Sequence, residues 1–422
     1  MNTSVLNSTD TKALAIMRGN DKGTYTVPTN GLYPYQWNWD SAFAALGFST
    51  FDIGRAWVEL ETLFKGQWDN GMVPHIIFHQ ESSGYFPGPE EWGTTHVPPT
   101  SGISQPPVAA TFARMVFEKD RSIGQAHLQN LFPKLLAWHR WFFEHRQENG
   151  AIVVNHPWES GRDNAPEWDE AMANVDTSHV GEYTRNDLGH VDPHMRPQKA
   201  DYDRFMAIVY AGRACDWNEA EMASNGPFRV ADPGMTFILL RANRDLLAIA
   251  SELGQDTQEI QDWISTLESG AAGLWNADIG AYDALNIRTG NFAGSLSSVS
   301  FLCWYAGIEN LHMQTQFDRV TQAVQFSMPS HDPESPKFEP FRYWRGPAWG
   351  IVNTLLAIGL AEMGHDKQAE KLRVDTAALI EKSGFAEYFN PLDGSPAGGK
   401  DFTWTAAIWL AWASPTIASE RG

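Results

Sequence analysis

The sequence predicts an all-α toroid, two concentric rings of six helices around a central cup, and three observations predict it. Amphipathic stretches with apolar residues returning at three and four positions recur along the 422 residues. Strand-like runs are few and no βαβ rhythm occurs, which removes the nucleotide-binding folds. Long aromatic segments fall between alternate helix pairs, where the connecting loops of a toroid would carry chemistry. A helical solenoid shares this periodicity, but no repeat of fixed length favours it.

In chain order the helices are expected over 41–49, 53–66, 107–118, 124–146, 200–215, 235–253, 257–268, 297–308, 312–326, 347–363, 366–382 and 403–413. Asp232-Pro233 ahead of Met235 and Gly346-Pro347 ahead of Trp349 read as helix starts, because proline belongs in a first turn. Met72–Phe78 and Ala151–Val154 read as short ribbons in loops. No linker, charge block or low-complexity stretch divides the chain. One domain over 1–422 is expected, with loop insertions around 66–105 and 150–200 covering the site.

With 43% hydrophobic residues the chain can bury a large core. Its net charge of -20, from 51 acidic against 31 basic residues, would repel nucleic acid. Met1–Asn20 lacks a basic region followed by an apolar run, so no secretory signal is read there. No segment reaches the ~18 to 20 apolar residues of a membrane span. Cys215 and Cys303 sit in apolar helical patterns and fit free thiols in a reducing cytoplasm. The number of copies in the working assembly stays open, a homo-oligomer included.

Aromatic residues are abundant: 18 tryptophans, 23 phenylalanines and 11 tyrosines. Many belong to the core, but Tyr33–Asp40, Trp158–Gly161, Tyr343–Trp349 and Trp404 mix flat apolar faces with hydrogen-bonding groups. That mixture suits a sugar, which has an apolar face and a polar edge. Two carboxylates lie in such surroundings, Asp163 in His156-Pro157-Trp158-Glu159-Ser160-Gly161-Arg162-Asp163-Asn164 and Glu387 in Gly384-Phe385-Ala386-Glu387-Tyr388-Phe389-Asn390-Pro391. Glycosidic bond cleavage needs such a pair, a proton donor on one side of the scissile bond and a carboxylate on the other. Read locally, Asp163 is also a turn aspartate and Glu387 a solvated loop glutamate.

The segments Tyr33–Phe43, Ser101–Pro107, Trp158–Asn164, Tyr343–Trp349 and Glu387–Phe389 together resemble glycoside hydrolase family 63, and within it the bacterial mannosylglycerate and glucosylglycerate hydrolases. The similarity runs in order from about residue 30 to 408. It implies an (α/α)6 barrel and an inverting α-glycosidase acting on a small α-glucoside or α-mannoside, with Asp163 as general acid and Glu387 as general base. It also implies that Glu159 orients rather than donates and that Asp40 holds sugar hydroxyls. Tyr33, Trp37, Trp39, Gln105, Trp158, Gly161, Trp344, Gly346 and Trp349 should line the sugar pocket, and Tyr85 should cap it from a mobile flap.

Arg196 and Tyr202 resemble the pair that presents a guanidinium and a phenol to the glycerate carboxylate, with Tyr343 opposite. Asp192, Asp201 or Asp203 is the alternative partner for Arg196. The Gly398–Trp404 segment lacks a glutamine that would add a further polar contact to glycerate, which leaves a neutral aglycone open: glucosylglycerol, trehalose, sucrose or kojibiose.

Two other classes compete. A sugar epimerase on the same fold would use histidine pairs such as His75/His79 or His190/His194, and a non-catalytic sugar-binding protein would keep the aromatics without the two carboxylates. There is no His-Glu-x-x-His, cysteine pair, EF-hand loop or phosphate-cradling glycine loop. Water alone is the expected co-reactant, with no metal and no cofactor.

Overall fold

The computed structural model describes residues 7–82 and 85–416. Met1–Leu6 of the leader reading and Gly84 of the flap loop lie outside the described residues. Six helical segments close an inner ring: Asn38–Phe48, Ala109–Lys119, Pro233–Glu252, the 3-10 segment Ser298–Cys303, Gly350–Glu362 and Thr403–Ile408, the last continuing as a π turn to Ala413. Each packs on the next and the sixth returns to the first. Six further helices surround them: Ser8–Asn20, Ile53–Leu63, Arg121–His145, Gln258–Ala271, Leu311–Gln322 and Asp366–Ser383. This is the (α/α)6 toroid, filled by one continuous apolar cluster.

The membership of the rings differs from the sequence reading in one place. The expected helix over 200–215 forms as Lys199–Ala214, but it packs on the short Pro89–Trp92 helix in the loop layer over the cup. Its place in the outer ring is taken by Ser8–Asn20, which starts with a capping box between Asn7 and Asp10 and buries Ala13, Leu14, Ile16 and Met17. Two boundaries also move. Gly346-Pro347 does not start a helix, because Ala348 is bridged to Pro329 and Phe389 and Trp349 stays extended, so the helix begins at Gly350. The stretch 297–308 tightens to a 3-10 segment over Ser298–Cys303. Asp232-Pro233 is the helix start expected, with Asp232 accepting from Gly234 N at 3.0 Å and Met235 N at 3.3 Å.

Small ribbons aim the loops. Met72–Phe78 reduces to Ile76–Ile77, since Pro74 has no donor for a ladder, and it pairs Trp37↔Ile76 and Gln36↔Ile77. Ala151–Val154 forms as expected, joining Gln147–Glu148, Val230–Ala231 and Leu285–Asn286 in a four-stranded sheet. The first runs into the aromatic segment at Trp39, the second into the segment carrying Asp163.

Ring closure depends on Asp10. Buried at 1% exposure, it accepts from Trp409 Nε1 at 2.7 Å and Ser414 Oγ at 2.9 Å, so the first outer helix is tied to the last inner one. Asp10→Ala strands two buried donors and is expected to cost about 2–4 kcal/mol. Denaturant unfolding checks this; a loss under about 0.5 kcal/mol would mean that apolar packing alone closes the ring.

Candidate active site

The cup lies at the N-terminal ends of inner helices, because the segments that precede or begin them supply its walls. Trp39 and Asp40 stand in the first turn of Asn38–Phe48, Gln105 precedes Ala109, Tyr343 and Trp344 precede Gly350, and Glu387 and Phe402 precede Thr403. Asp163, Glu387, Tyr33, Trp37, Trp39, Asp40, Tyr85, Gln105, Trp158, Gly161, Arg196, Tyr202, Tyr343 and Trp344 all line one cavity. Gly346 and Trp349 do not. Trp349 lies one layer back, stacked on Trp344 with ring centroids 3.8 Å apart and donating Nε1–H to Tyr343 O at 3.0 Å. Gly346 donates to Ser330 Oγ, and a Cβ there would sit 2.7 Å from Glu339 O. Both support the wall rather than face the cup.

The aromatic wall is interlocked. Trp39 meets Trp404 edge-on at 5.9 Å and Trp344 at 6.1 Å, while Tyr85 abuts Trp37 at 5.2 Å. Gly161 permits the approach of the Asp163 loop to this wall: its φ is +69°, and a Cβ would fall 2.6 Å from the Trp39 ring. Gln105 Oε1 accepts from Trp39 N at 3.3 Å.

Glu387, 2% exposed, accepts from Tyr33 Oη at 3.1 Å and from Gly399 N at 2.8 Å. The Gly398–Trp404 segment thus orients this carboxylate. Burial pushes the Glu387 carboxyl above its usual range, and the Arg196 guanidinium opposes that push. Asp163 is raised to about 7, again by burial first, with Arg196 pulling down and Glu387 pushing up. Asp40, buried in the same cup, is raised well above the carboxylate range by burial and then by Glu387. Three carboxyls in one desolvated space resist ionising together, an arrangement that can serve a pair of groups working as acid and base.

Arg196 is the cation among them. It is 3% exposed, with Nε donating to Asp187 Oδ2 at 3.1 Å, Nη1 lying 3.6 Å from Glu387 Oε1, and its guanidinium 4.3 Å from the Tyr343 ring centroid. Its acidic partner is Asp187, not Asp192, Asp201 or Asp203. Nη1 makes no hydrogen bond within the protein. Asp187 also binds Arg185, which stacks 3.7 Å over Tyr202. Neither Arg185 nor Asp187 stands out in the sequence, since Thr184–Asp187 carries no motif.

Glu159 is occupied: its carboxylate accepts from Arg146 Nη2 at 2.8 Å and Asn155 N at 2.6 Å. His75 lines the cup without His79, which instead bonds Gln36 Oε1 at 2.6 Å; His190 and His194 are exposed. Burial and then His156 hold the His75 imidazole well below its usual range, and hence neutral. No histidine acid/base pair faces the cavity, and no cluster of three or more metal-ligating side chains occurs among the described residues. No described helix is long and apolar enough to cross a membrane.

The raised Asp163 carboxyl has a stability consequence. Below about pH 4 it is protonated in both folded and unfolded chains and costs nothing. As pH rises from there to about 7 only the unfolded chain ionises, so folding stability is progressively lost. Asp163→Asn removes that loss, so its thermal midpoint should exceed that of the parent by an amount that grows between pH 4 and 7 and then levels. A pH-independent difference would show an ordinary aspartate.

The chain matches the mannosylglycerate hydrolase MGH1-like glycoside hydrolase domain over residues 33–405. It is 45% identical to mannosylglycerate hydrolase MGH1 of Selaginella moellendorffii, over 94% of this chain and 84% of that one. It is 32% identical to glucosylglycerate hydrolase of Mycolicibacterium hassiacum, over 95% and 96% of the two chains. The crystal structure of the family 63 mannosylglycerate hydrolase from Thermus thermophilus in complex with Tris and D-glycerate superposes with a TM-score of 0.93, at 44% identity, covering 96% of this chain and 99% of that one. A carboxyl-lined aromatic cup on an (α/α)6 toroid and these similarities over nearly the whole chain make the protein a glycoside hydrolase belonging to the MGH1-like group of family 63.

Proposed function

We propose that the chain hydrolyses an α-glycoside of glycerate, glucosylglycerate or mannosylglycerate, with inversion at the anomeric carbon. The observation that carries this reading is Arg196: a buried guanidinium whose Nη1 makes no hydrogen bond within the protein and meets only Glu387 at 3.6 Å, set against the Tyr343 and Tyr33 rings in the same cup as the two carboxyls and Tyr202. Leaving such a donor unmet is costly, and a carboxylate on the aglycone would meet it. The relatives' names point the same way, since both sugars occur among them, each joined to glycerate.

In this reading the sugar stacks against Trp39 and Trp344, and its hydroxyls bind Asp40 and Gln105. Asp163, whose raised carboxyl keeps its proton up to about pH 7, donates it to the glycosidic oxygen as the bond from C1 to that oxygen breaks. Glu387 accepts a proton from a water on the opposite face, and that water's oxygen bonds to C1. Sugar and glycerate leave, Asp163 regains a proton from solvent and Glu387 releases one. Tyr33, which donates to Glu387 Oε1, would keep the base oriented toward the water. Cys215 and Cys303 are both free, which fits a reducing compartment such as the cytoplasm.

The test compares α-glucosyl- and α-mannosylglycerate with glucosylglycerol, trehalose, sucrose and kojibiose. A glycerate glycoside should give the highest kcat/KM, and proton NMR should show the β anomer first. A neutral substrate winning tenfold would overturn the glycerate assignment, and an initial α anomer would overturn inversion. Arg196→Ala should raise KM on the glycerate glycoside about ten- to a hundredfold, the worth of a charge-assisted bond, and spare any neutral glycoside. Equal losses on both would make Arg196 structural.

A further inference from the structure

Asp163 follows a residue that the reaction as described does not use. Arg162 is 2% exposed and points away from the cup, into a pocket of two carboxylates: Nη2 donates to Asp232 Oδ1 at 2.8 Å and Nη1 is paired with Glu167. Its guanidinium lies 4.9 Å from the Trp168 ring centroid, and Trp168 Nε1–H donates back to the Arg162 carbonyl at 2.6 Å. Asp232 is meanwhile the N-cap of the inner helix Pro233–Glu252. The peptide carrying the acid is therefore bolted, one residue upstream, to the inner ring of the scaffold. With Arg146 gripping Glu159 four residues upstream, the short turn that leads into Asp163 is held at both ends by buried ion pairs.

We infer that Arg162 is a positioning residue: through Asp232 and Glu167 it fixes the acid loop so that Asp163 meets the glycosidic oxygen. Its charge is already met by two buried carboxylates, Asp232 and Glu167, and the influences that dominate the Asp163 proton affinity are burial and Arg196. What it supplies is placement. A displaced acid still occupies the cup but transfers its proton late, and a misplacement of about 1 Å is worth about a hundredfold in rate. The inference rests on Asp163 being the general acid.

That role predicts a dependence on the leaving group which general destabilisation would not produce. A glycerate glycoside leaves as an alkoxide and needs the proton; the matching α-glycosyl fluoride leaves as fluoride and needs only the base and water. Arg162→Lys keeps the charge but loses the two-pronged geometry. It should lower kcat on the glycerate glycoside about ten- to hundredfold while changing fluoride hydrolysis by less than about twofold. Glu167→Gln, which leaves the Asp232 contact in place, should give the same split to a smaller degree, and it carries the test if thermal unfolding shows that Arg162→Lys does not fold. Losses equal on the two substrates, or no loss on either, would overturn the positioning role. Asp163→Asn is the control: it should show the split most strongly, and if it instead loses both substrates equally, the assignment of Asp163 as acid fails, whatever Arg162 does.

Discussion

Burial of Asp40, Asp163 and Glu387 in one cup with the Arg196 guanidinium among them is the constraint around which the rest of the structure is arranged. Desolvation pushes all three carboxyls upward, and the charge of Glu387 adds to the push on Asp40 and Asp163. Arg196, 3.6 Å from Glu387, favours the ionised form of whichever carboxylate it faces. One group can therefore stay charged while another keeps its proton near neutral pH, the division that an acid and a base in a single cavity would need. The same guanidinium has an Nη1 that makes no hydrogen bond within the protein, which is why the proposed reading gives it an anionic aglycone.

A site of this kind needs a scaffold that does not relax. Unpaired, its charges would draw in water or shift the loops, and either would return the carboxyls to ordinary values. The toroid resists by tying each active loop to a helix start: Asp232 caps an inner helix and holds Arg162, Gly399 N holds Glu387, and Trp349 backs Trp344 while bonding the Tyr343 carbonyl. The outer ring closes on Asp10 in the same way. Asp187 does this for Arg196, and its second arginine, Arg185, lies over Tyr202. The cup's polar contents are thus held by a surrounding layer that is itself charged, buried and paired.

Much of this is legible in the sequence because periodicity reports burial. Ten of the twelve ring segments are expected as helices with modest shifts at their ends, and Ser298–Cys303 is expected as a longer one. Ser8–Asn20 escapes the periodicity reading because its polar opening obscures Ala13, Leu14 and Met17, whose spacing and Asn7 cap carry the signal. Lys199–Ala214 looks like a ring helix because it is amphipathic, but its apolar face covers Trp158 rather than a barrel helix. The aromatic motifs locate the cup, yet they do not distinguish facing residues from backing ones. Trp349 and Trp344 are equivalent in sequence terms, and only their stacking shows which is behind. The partners of Arg196, Arg162 and Glu159 are invisible for another reason: Asp187, Asp232 and Arg146 reach them across folds of chain that no local pattern records.

The central claim is that Asp163 keeps its proton up to about pH 7 while Glu387 is already ionised there, and infrared difference spectroscopy tests it most directly. Spectra recorded between pH 5 and 9 should show the carbonyl stretch of a protonated carboxyl that bleaches with a midpoint of about 7 and is missing from Asp163→Asn. The account is contradicted if no such band is present above pH 6, or if the band survives in Asp163→Asn and vanishes in Glu387→Gln.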